Sequence, residues 1–236
     1  MPTKLHILVP ASGLGLRFNA DRPKQYQPFL GISLLDHCLS QLLSLSYTGQ
    51  FVVGLAEDDL WWETMDSSKS TSINTVIGGA TRAETVSHML DALHDVDPQD
   101  WVLVHDAVRP CVSKSSLQPL LDVMQATQAD GLSLGRPIYE AVKRVSDQGK
   151  VLASERREGL WTIQTPQVFR FEALQKSLQA CLEESLSFDD EMMALHHLGY
   201  TTGMVQGSAL NIKVTTAEDL PLAEHYWQIM QAQEQG

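Results

Sequence analysis

The run Leu5-His6-Ile7-Leu8-Val9, followed by Pro10-Ala11-Ser12-Gly13-Leu14-Gly15-Leu16-Arg17, decides how the rest of the sequence is read. A short apolar run with β-branched members fits a strand buried in a parallel sheet. The chain then breaks at Pro10. Gly13 and Gly15 lack Cβ atoms, so they permit φ > 0 and let successive backbone N–H groups approach an anion. Arg17 and, just past Pro23, Lys24 add positive charge. A backbone cradle with converging cations suits phosphoryl or nucleotidyl transfer, which needs positioning and charge neutralisation more than a protein nucleophile. Two better-known glycine loops fail the comparison. A dinucleotide fingerprint requires Gly or Ala where Phe18 stands, and a P-loop requires Gly-Lys-Ser/Thr after a longer spacing. The glycines alone also fit a tight turn with two solvated cations; the Arg and the Pro-Lys-Gln in the same loop favour phosphate.

Outward from this loop, strand-like runs recur at 51–56, 73–77 and 101–105, with helix-patterned segments between them. That alternation predicts an α/β fold: a Rossmann-like, mostly parallel sheet flanked by helices. Ser33-Leu34-Leu35-Asp36 opens a helix whose apolar residues Leu35, Cys38, Leu39, Leu42 and Leu43 share one face. Thr81-Arg82-Ala83-Glu84 and Thr216-Ala217-Glu218-Asp219 open two more. Gly78-Gly79 before Thr81 repeats the strand, glycine, helix logic, and reads equally as an anion site at a helix N-terminus or as a capped turn. From about Gly135 to Glu158 the pattern changes. Pro137-Ile138-Tyr139 and Ala141-Val142-Lys143-Arg144-Val145 read as strands, with a hairpin turn at Asp147-Gln148-Gly149-Lys150. This predicts a protruding β-arm at about 137–158, packed on a second subunit in a homodimer or left as a surface hairpin. The acidic stretch Glu183 to Glu191 reads as a solvated face.

A chain of 236 residues, 43% hydrophobic, can bury one large core, so a single domain over residues 1–236 is expected. The net charge of −12 argues against a nucleic-acid or anionic-membrane surface. Residues 1–30 nevertheless carry +3, against −15 for the remainder, which suits a small anionic ligand better than a polymer. Three widely spaced cysteines, with no CxxC pair or zinc spacing, fit a reduced cytoplasm. With no apolar leader and no run of membrane-spanning length, a soluble, unprocessed protein is expected.

His105-Asp106-Ala107-Val108-Arg109-Pro110 directly follows the strongest strand, where ligands of open α/β sheets sit. Asp106 there could hold a metal ion beside a triphosphate, accept from a substrate hydroxyl, or simply cap a turn and pair with Arg109. Arg157 and Lys213 are candidates for gripping a second phosphate, or ordinary surface charges.

In order and spacing, Pro10 to Arg17, Pro23-Lys24-Gln25-Tyr26, Gly78-Gly79-(x)2-Arg82, His105 to Pro110, Arg157-(x)2-Leu160-Trp161, Thr165-Pro166-Gln167 and Asn211 to Thr215 resemble one family. It is the 2-C-methyl-D-erythritol 4-phosphate cytidylyltransferases of the non-mevalonate isoprenoid pathway, and the resemblance runs from Leu5 to Glu224. It implies a nucleotidyltransferase-type fold and transfer of CMP from CTP to the sugar-alcohol phosphate, with Mg2+ assisting. Arg17 and Lys24 would stabilise charge on the α-phosphate, and Arg157 and Lys213 would hold the acceptor. Pro10, Ala11, Ser12, Gly13, Gly15, Gly79, Ala80 and Thr85 would contact the nucleotide. Asp106, Arg109 and Thr165 fall to the sugar-phosphate side, Asp106 also as the metal candidate. The family further implies a homodimer whose arm reaches the partner's site. The chain departs from the family pattern at Glu140-Ala141, Asp189 and Leu210, where Asp-Thr, Thr and Asp are common. Ribitol 5-phosphate cytidylyltransferases share the first loop, the His105 to Pro110 run and Gln164-Thr165-Pro166-Gln167, but Arg157-(x)2-Leu160-Trp161 and the Trp101 to His105 strand favour the methylerythritol family. A non-catalytic nucleotide-binding module is the remaining alternative, and it would have no need of Arg17, Lys24, Arg157 and Lys213 together.

Overall fold

The computed structural model describes residues 3–13, 18, 21–188 and 190–234; Gly15, Arg17 and Asp189 lie outside the described residues. In chain order the elements are β1 (Leu5–Pro10), β2 (Pro28–Phe29), β3 (Ile32–Ser33), α1 (Leu34–Leu43), β4 (Phe51–Leu55), β5 (Ile73–Ile77), α2 (Arg82–Asp91), β6 (Trp101–Val104), α3 (Lys114–Ala126), β7 (Gly131–Pro137), β8 (Val142–Val145), β9 (Val151–Glu155), β10 (Trp161–Arg170), α4 (Phe171–Glu183), α5 (Glu191–His197), β11 (Thr202–Gln206) and α6 (Asp219–Glu234).

Among the described residues, seven strands form one sheet in the order β11-β7-β10-β6-β1-β4-β5. β10 runs antiparallel to both its neighbours, and the remaining pairs are parallel. Three of the runs read from sequence, β1, β4 and β6, are central strands because both their faces are covered, whereas β5 lies at the sheet edge with exposed side chains. Ile7 and Val9 of β1 and Phe51 and Val53 of β4 pack with Leu35, Leu39 and Leu42 of α1 and Leu117 and Leu120 of α3. Their alternates Leu8 and Val52 pack on the opposite face with Val86 and Met89 of α2 and Leu174 and Leu178 of α4. Strand period two thus divides one hydrophobic run between two cores. A third cluster, Phe29, Leu34, Val108 and Val214, seats α6 through Ala223 and Trp227.

From β1 the chain builds outward on one side through β4 and β5, then returns through α2 to place β6 on the other side of β1. This reversal makes the carboxyl ends of β1 and β6 the switch point where open α/β sheets bind ligands.

Gln164-Thr165-Pro166-Gln167 lies within β10, where the register with β7 shifts between Gln164 and Gln167. Pro166 has no N–H to give the ladder, so a bulge is the expected response. Asn211 Nδ2 donates to the Thr165 carbonyl at 2.8 Å, satisfying a group the ladder leaves open.

Beyond β7 the chain forms a separate hairpin, β8 antiparallel to β9. Its first strand begins later than the sequence pattern suggests. Pro137 ends β7, and Ile138 N donates to Leu160 O, so this segment prolongs the β7–β10 pair before the chain bends away. The acidic stretch also differs from expectation: Glu191 is fully buried.

Gly54 of β4 faces α2 at a distance no side chain tolerates, since a Cβ there would stand 2.6 Å from Thr85 Cγ2 and 2.9 Å from Met89 Sδ. Gly54→Val should therefore push α2 off the sheet and cost about 1–3 kcal/mol of stability. The shift of the denaturant midpoint at unchanged m-value checks this.

Candidate active site

A cavity of about 820 Å³ opens at the carboxyl ends of β1, β4 and β6. One wall is backbone, from Pro10, Ser12 and Gly13 after β1 and from Gly78, Gly79 and Ala80 before α2. The two loops are clasped by one hydroxyl. Thr85 Oγ1, fully buried, lies 2.7 Å from Ser12 Oγ and accepts from Gly79 N at 3.1 Å. Thr85 therefore joins the loops from behind and does not line the cavity. Gly78 is required by this approach, because a Cβ would meet Ser12 Cβ at 2.7 Å and Thr85 Oγ1 at 2.8 Å. Gly13 is different. It does not take the left-handed conformation expected for it, and a Cβ there would meet nothing within 4 Å among the described residues, so what it contributes is a bare wall.

Lys24 lines the cavity from a single 3-10 turn, Lys24–Tyr26. The next two residues anchor that turn. Buried Gln25 donates from Nε2 to Ala11 O at 2.6 Å, and Tyr26 donates its hydroxyl to Asp59 Oδ2 at 2.7 Å. Ala11, whose N–H also donates to Gly54 O, is buried by these contacts and sits behind the cavity wall.

Asp106 emerges from β6 into a cage of cations. Its Oδ1 faces Arg82 Nε at 3.2 Å, and its Oδ2 faces Lys213 Nζ at 2.9 Å and Arg109 Nε at 3.3 Å. Burial by itself would push this carboxyl's pKa up. The pull of Arg82, Lys213 and Arg109 outweighs it and holds Asp106 well below the usual carboxylate range, so it is ionised at neutral pH. Arg109 is buried, with Nη1 donating to Asn211 O at 2.9 Å, and it braces Asp106 without lining the cavity. Arg82, half-buried and on the wall, bridges Asp106 to Glu191 of α5. Burial would lower its pKa, but the two carboxylates raise it instead.

Both oxygens of Asp106 already face cations, and that positive surrounding disfavours a divalent ion beside it. No group of three or more His, Cys, Asp or Glu suited to a metal ion occurs among the described residues.

Behind Asp106 runs a buried relay whose proton positions follow from donor logic. His105 Nε2 lies 3.1 Å from the Arg109 carbonyl, which can only accept, so neutral His105 carries its proton there. Its Nδ1 then accepts from Thr165 Oγ1 at 3.2 Å, and Thr165 Oγ1 accepts from Asp106 N at 3.0 Å. Thr165 is thus buried behind the strand end and positions the backbone of Asp106.

Arg157 is not brought to this cavity. It is exposed at the foot of the hairpin, with Nη1 donating to Tyr139 O. Conversely, Glu57, Asp58, Val108, Thr215 and Arg82 line the cavity but were not among the expected site residues. The first two follow β4 directly, so the strand-end rule that flags Asp106 flags them too.

The sequence model for "2-C-methyl-D-erythritol 4-phosphate cytidylyltransferase" matches residues 5–229. This chain belongs to that family. A family enzyme from Hahella chejuensis is 39% identical over 233 residues, covering 98% of this chain and 96% of its own. One from Aeromonas hydrophila is 41% identical over 230 residues, covering 98% and 92%. The crystal structure of the Francisella tularensis family member superposes with a TM-score of 0.83 at 30% identity, covering 95% of this chain and all of that one. The mostly parallel sheet flanked by helices is the fold of this nucleotidyltransferase family. No helix among the described residues is long and apolar enough to cross a membrane.

Burial lowers the His105 pKa from 6.5 to about 4. Between those pH values the unfolded chain binds a proton that the folded protein refuses, so stability falls as pH drops from 6.5 to 4. The loss should be on the order of 3 kcal/mol from this residue. His105→Gln should flatten that limb of the stability–pH curve in denaturant titrations.

Proposed function

We propose that this chain transfers CMP from CTP to 2-C-methyl-D-erythritol 4-phosphate. A phosphate oxygen of the acceptor attacks the α-phosphorus, the bond to the bridging oxygen of the β-phosphate breaks, and pyrophosphate leaves. The observation that carries the reading is the cavity itself: a glycine-walled backbone cradle at a switch point, with Lys24 on its wall and the Asp106–Lys213 pair beside it. Backbone groups of Pro10, Ser12, Gly13, Gly79 and Ala80 take the nucleotide, with Ala11 and Thr85 holding their loops in place. Lys24, joined by Arg17, stabilises charge developing on the α-phosphate, an electrostatic role in which position matters as much as charge. Lys213 and Arg157 grip the acceptor's phosphate. Asp106, braced by Arg109 and Thr165, accepts from an acceptor hydroxyl. Mg2+ belongs to the proposal as a companion of the triphosphate oxygens, which suit a hard cation, and not as a ligand of Asp106.

A homodimer completes the proposal, and a single protomer supplies its motive. Arg157 lies on an arm bearing exposed apolar side chains, with Tyr139, Val151 and Leu152 each near 60% exposed. A two-stranded hairpin with this much exposed apolar surface is a natural interface element. In this reading the arm of one protomer delivers Arg157 to the cavity of the other. The cytoplasm is the proposed location.

Pyrophosphate release from CTP with Mg2+ and the acceptor tests the reaction. Release should occur with the methylerythritol phosphate and be much slower with ribitol 5-phosphate; binding of CTP without release in either case would sink the enzyme reading. Lys24→Ala should lower kcat far more than it weakens CTP binding. Equal loss in both would reject the transition-state role. For the arm, Arg157→Ala and Lys213→Ala, each inactive alone, should recover roughly a quarter of wild-type activity when mixed one to one. Half of the reassorted dimers then carry one intact site of two. No recovery after verified subunit exchange would place Arg157 in its own protomer's chemistry.

A further inference from the structure

We infer that Glu191 is a positioning residue for the acceptor side of the cavity, acting through Arg82 on Asp106. The inference rests on the proposal above that Asp106 faces the acceptor. Glu191 opens α5 and is fully buried. Its Oε1 lies 2.5 Å from Arg82 Nη1, across 109 residues of sequence. The same guanidinium presents Nε to Asp106 Oδ1 at 3.2 Å. Glu191 Oε2 finds no hydrogen-bond partner among the described residues, so the observed contact of this carboxylate is with Arg82 alone.

The geometry explains why a carboxylate stands there. A guanidinium is a rigid planar fork, and fixing two of its edges fixes the plane. Glu191 takes one edge and Asp106 another, which orients Arg82 and, in return, the Oδ1 side of the Asp106 carboxylate. Arg109 and Lys213 govern only Oδ2. Without the charge of Glu191, Arg82 is free to turn toward the cavity or fully onto Asp106, and either movement re-aims the carboxylate. Small misplacements of a positioned group are expensive in rate. If the pair served only to tie α2 to α5, apolar packing would do as well, since buried ion pairs are weak sources of stability.

The cluster's charge supports the same assignment. Two carboxylates meet three cations, Arg82, Arg109 and Lys213, which leaves one positive charge in excess beside a cavity proposed to bind phosphates. Glu191 places its share of negative charge on the far side of Arg82, away from the ligand.

The test is Glu191→Gln, which keeps the shape and one acceptor, with Arg82→Met and the double variant, assayed with CTP and 2-C-methyl-D-erythritol 4-phosphate. Glu191→Gln should lower kcat/KM for the acceptor by roughly tenfold or more, with KM for CTP within about twofold and the unfolding midpoint little changed. In the Arg82→Met background it should cost nothing further. Wild-type acceptor kinetics would overturn the inference. So would a loss shared equally by both substrates that follows a lowered unfolding midpoint, or losses that simply add in the double variant. An active wild type with an unaffected Glu191→Gln rejects this inference alone; a wild type inert toward the acceptor rejects the functional reading and takes the inference with it.

Discussion

A carboxylate withdrawn from water at the end of a central strand cannot stand without compensation, and Asp106 draws three cations from three different segments. Arg82 comes from the start of α2, Arg109 from the turn after β6, and Lys213 from the approach to α6. Desolvation makes each attraction stronger than it would be on the surface and makes the loss of any one costly. The cage therefore works in two directions. It holds segments far apart in sequence in one arrangement, and it parks Lys213 and Arg82 at the cavity wall in fixed positions. Without Asp106 these cations would repel one another. Asp106 lets them stand assembled at the wall, which for the proposed phosphate ligands is preorganisation achieved with the protein's own charge.

The neutral face of the cavity depends on shape. Ser12 and Gly79 belong to loops that follow different strands, yet one buried hydroxyl, that of Thr85, joins them. It can do so because Gly54 lets α2 close on the sheet and Gly78 lets one loop lie against the other. Packing in the second core and the outline of the cavity are in this respect one property. Similarly, the turn bearing Lys24 is fixed by its neighbours: Gln25 is tied to the first loop and Tyr26 to the segment after β4.

What the sequence could disclose follows from range. β1, β4 and β6 are legible because a central parallel strand is a continuous apolar run, the edge strand β5 by its β-branched residues, and the starts of α1 and α2 because capping is local. β7, β10 and β11 carry no such continuous run. β10 contains Thr, Gln and Pro at its centre, a composition that disguises a buried strand, and its pairing partners are remote. The Asp106–Arg109 pair, three residues apart, was visible as an alternative. The attachment of Lys213 and Arg82 to the same carboxylate is not, since nothing in spacing reveals convergence of residues from separate elements. Glu191 is hidden for the same reason: an acidic run has the look of a solvated face until the remote arginine that pairs with one buried member is known. Arg157 shows the converse, a recognisable motif residue that the fold leaves outside the cavity.

The bulge in β10 has a consequence for how such a chain can vary. Its carboxyl-terminal half, from Gln167 to Arg170, is locked between β6 and β7, while its amino-terminal half continues from the hairpin and pairs with β7 alone. Because Pro166 breaks the ladder between them, the two halves do not share a register. The hairpin can lengthen, shorten or change its surface without the slip propagating into the core strands, where one residue of displacement would turn every buried side chain outward. The proline acts as an expansion joint: the core is insulated from the part of the molecule most exposed to change.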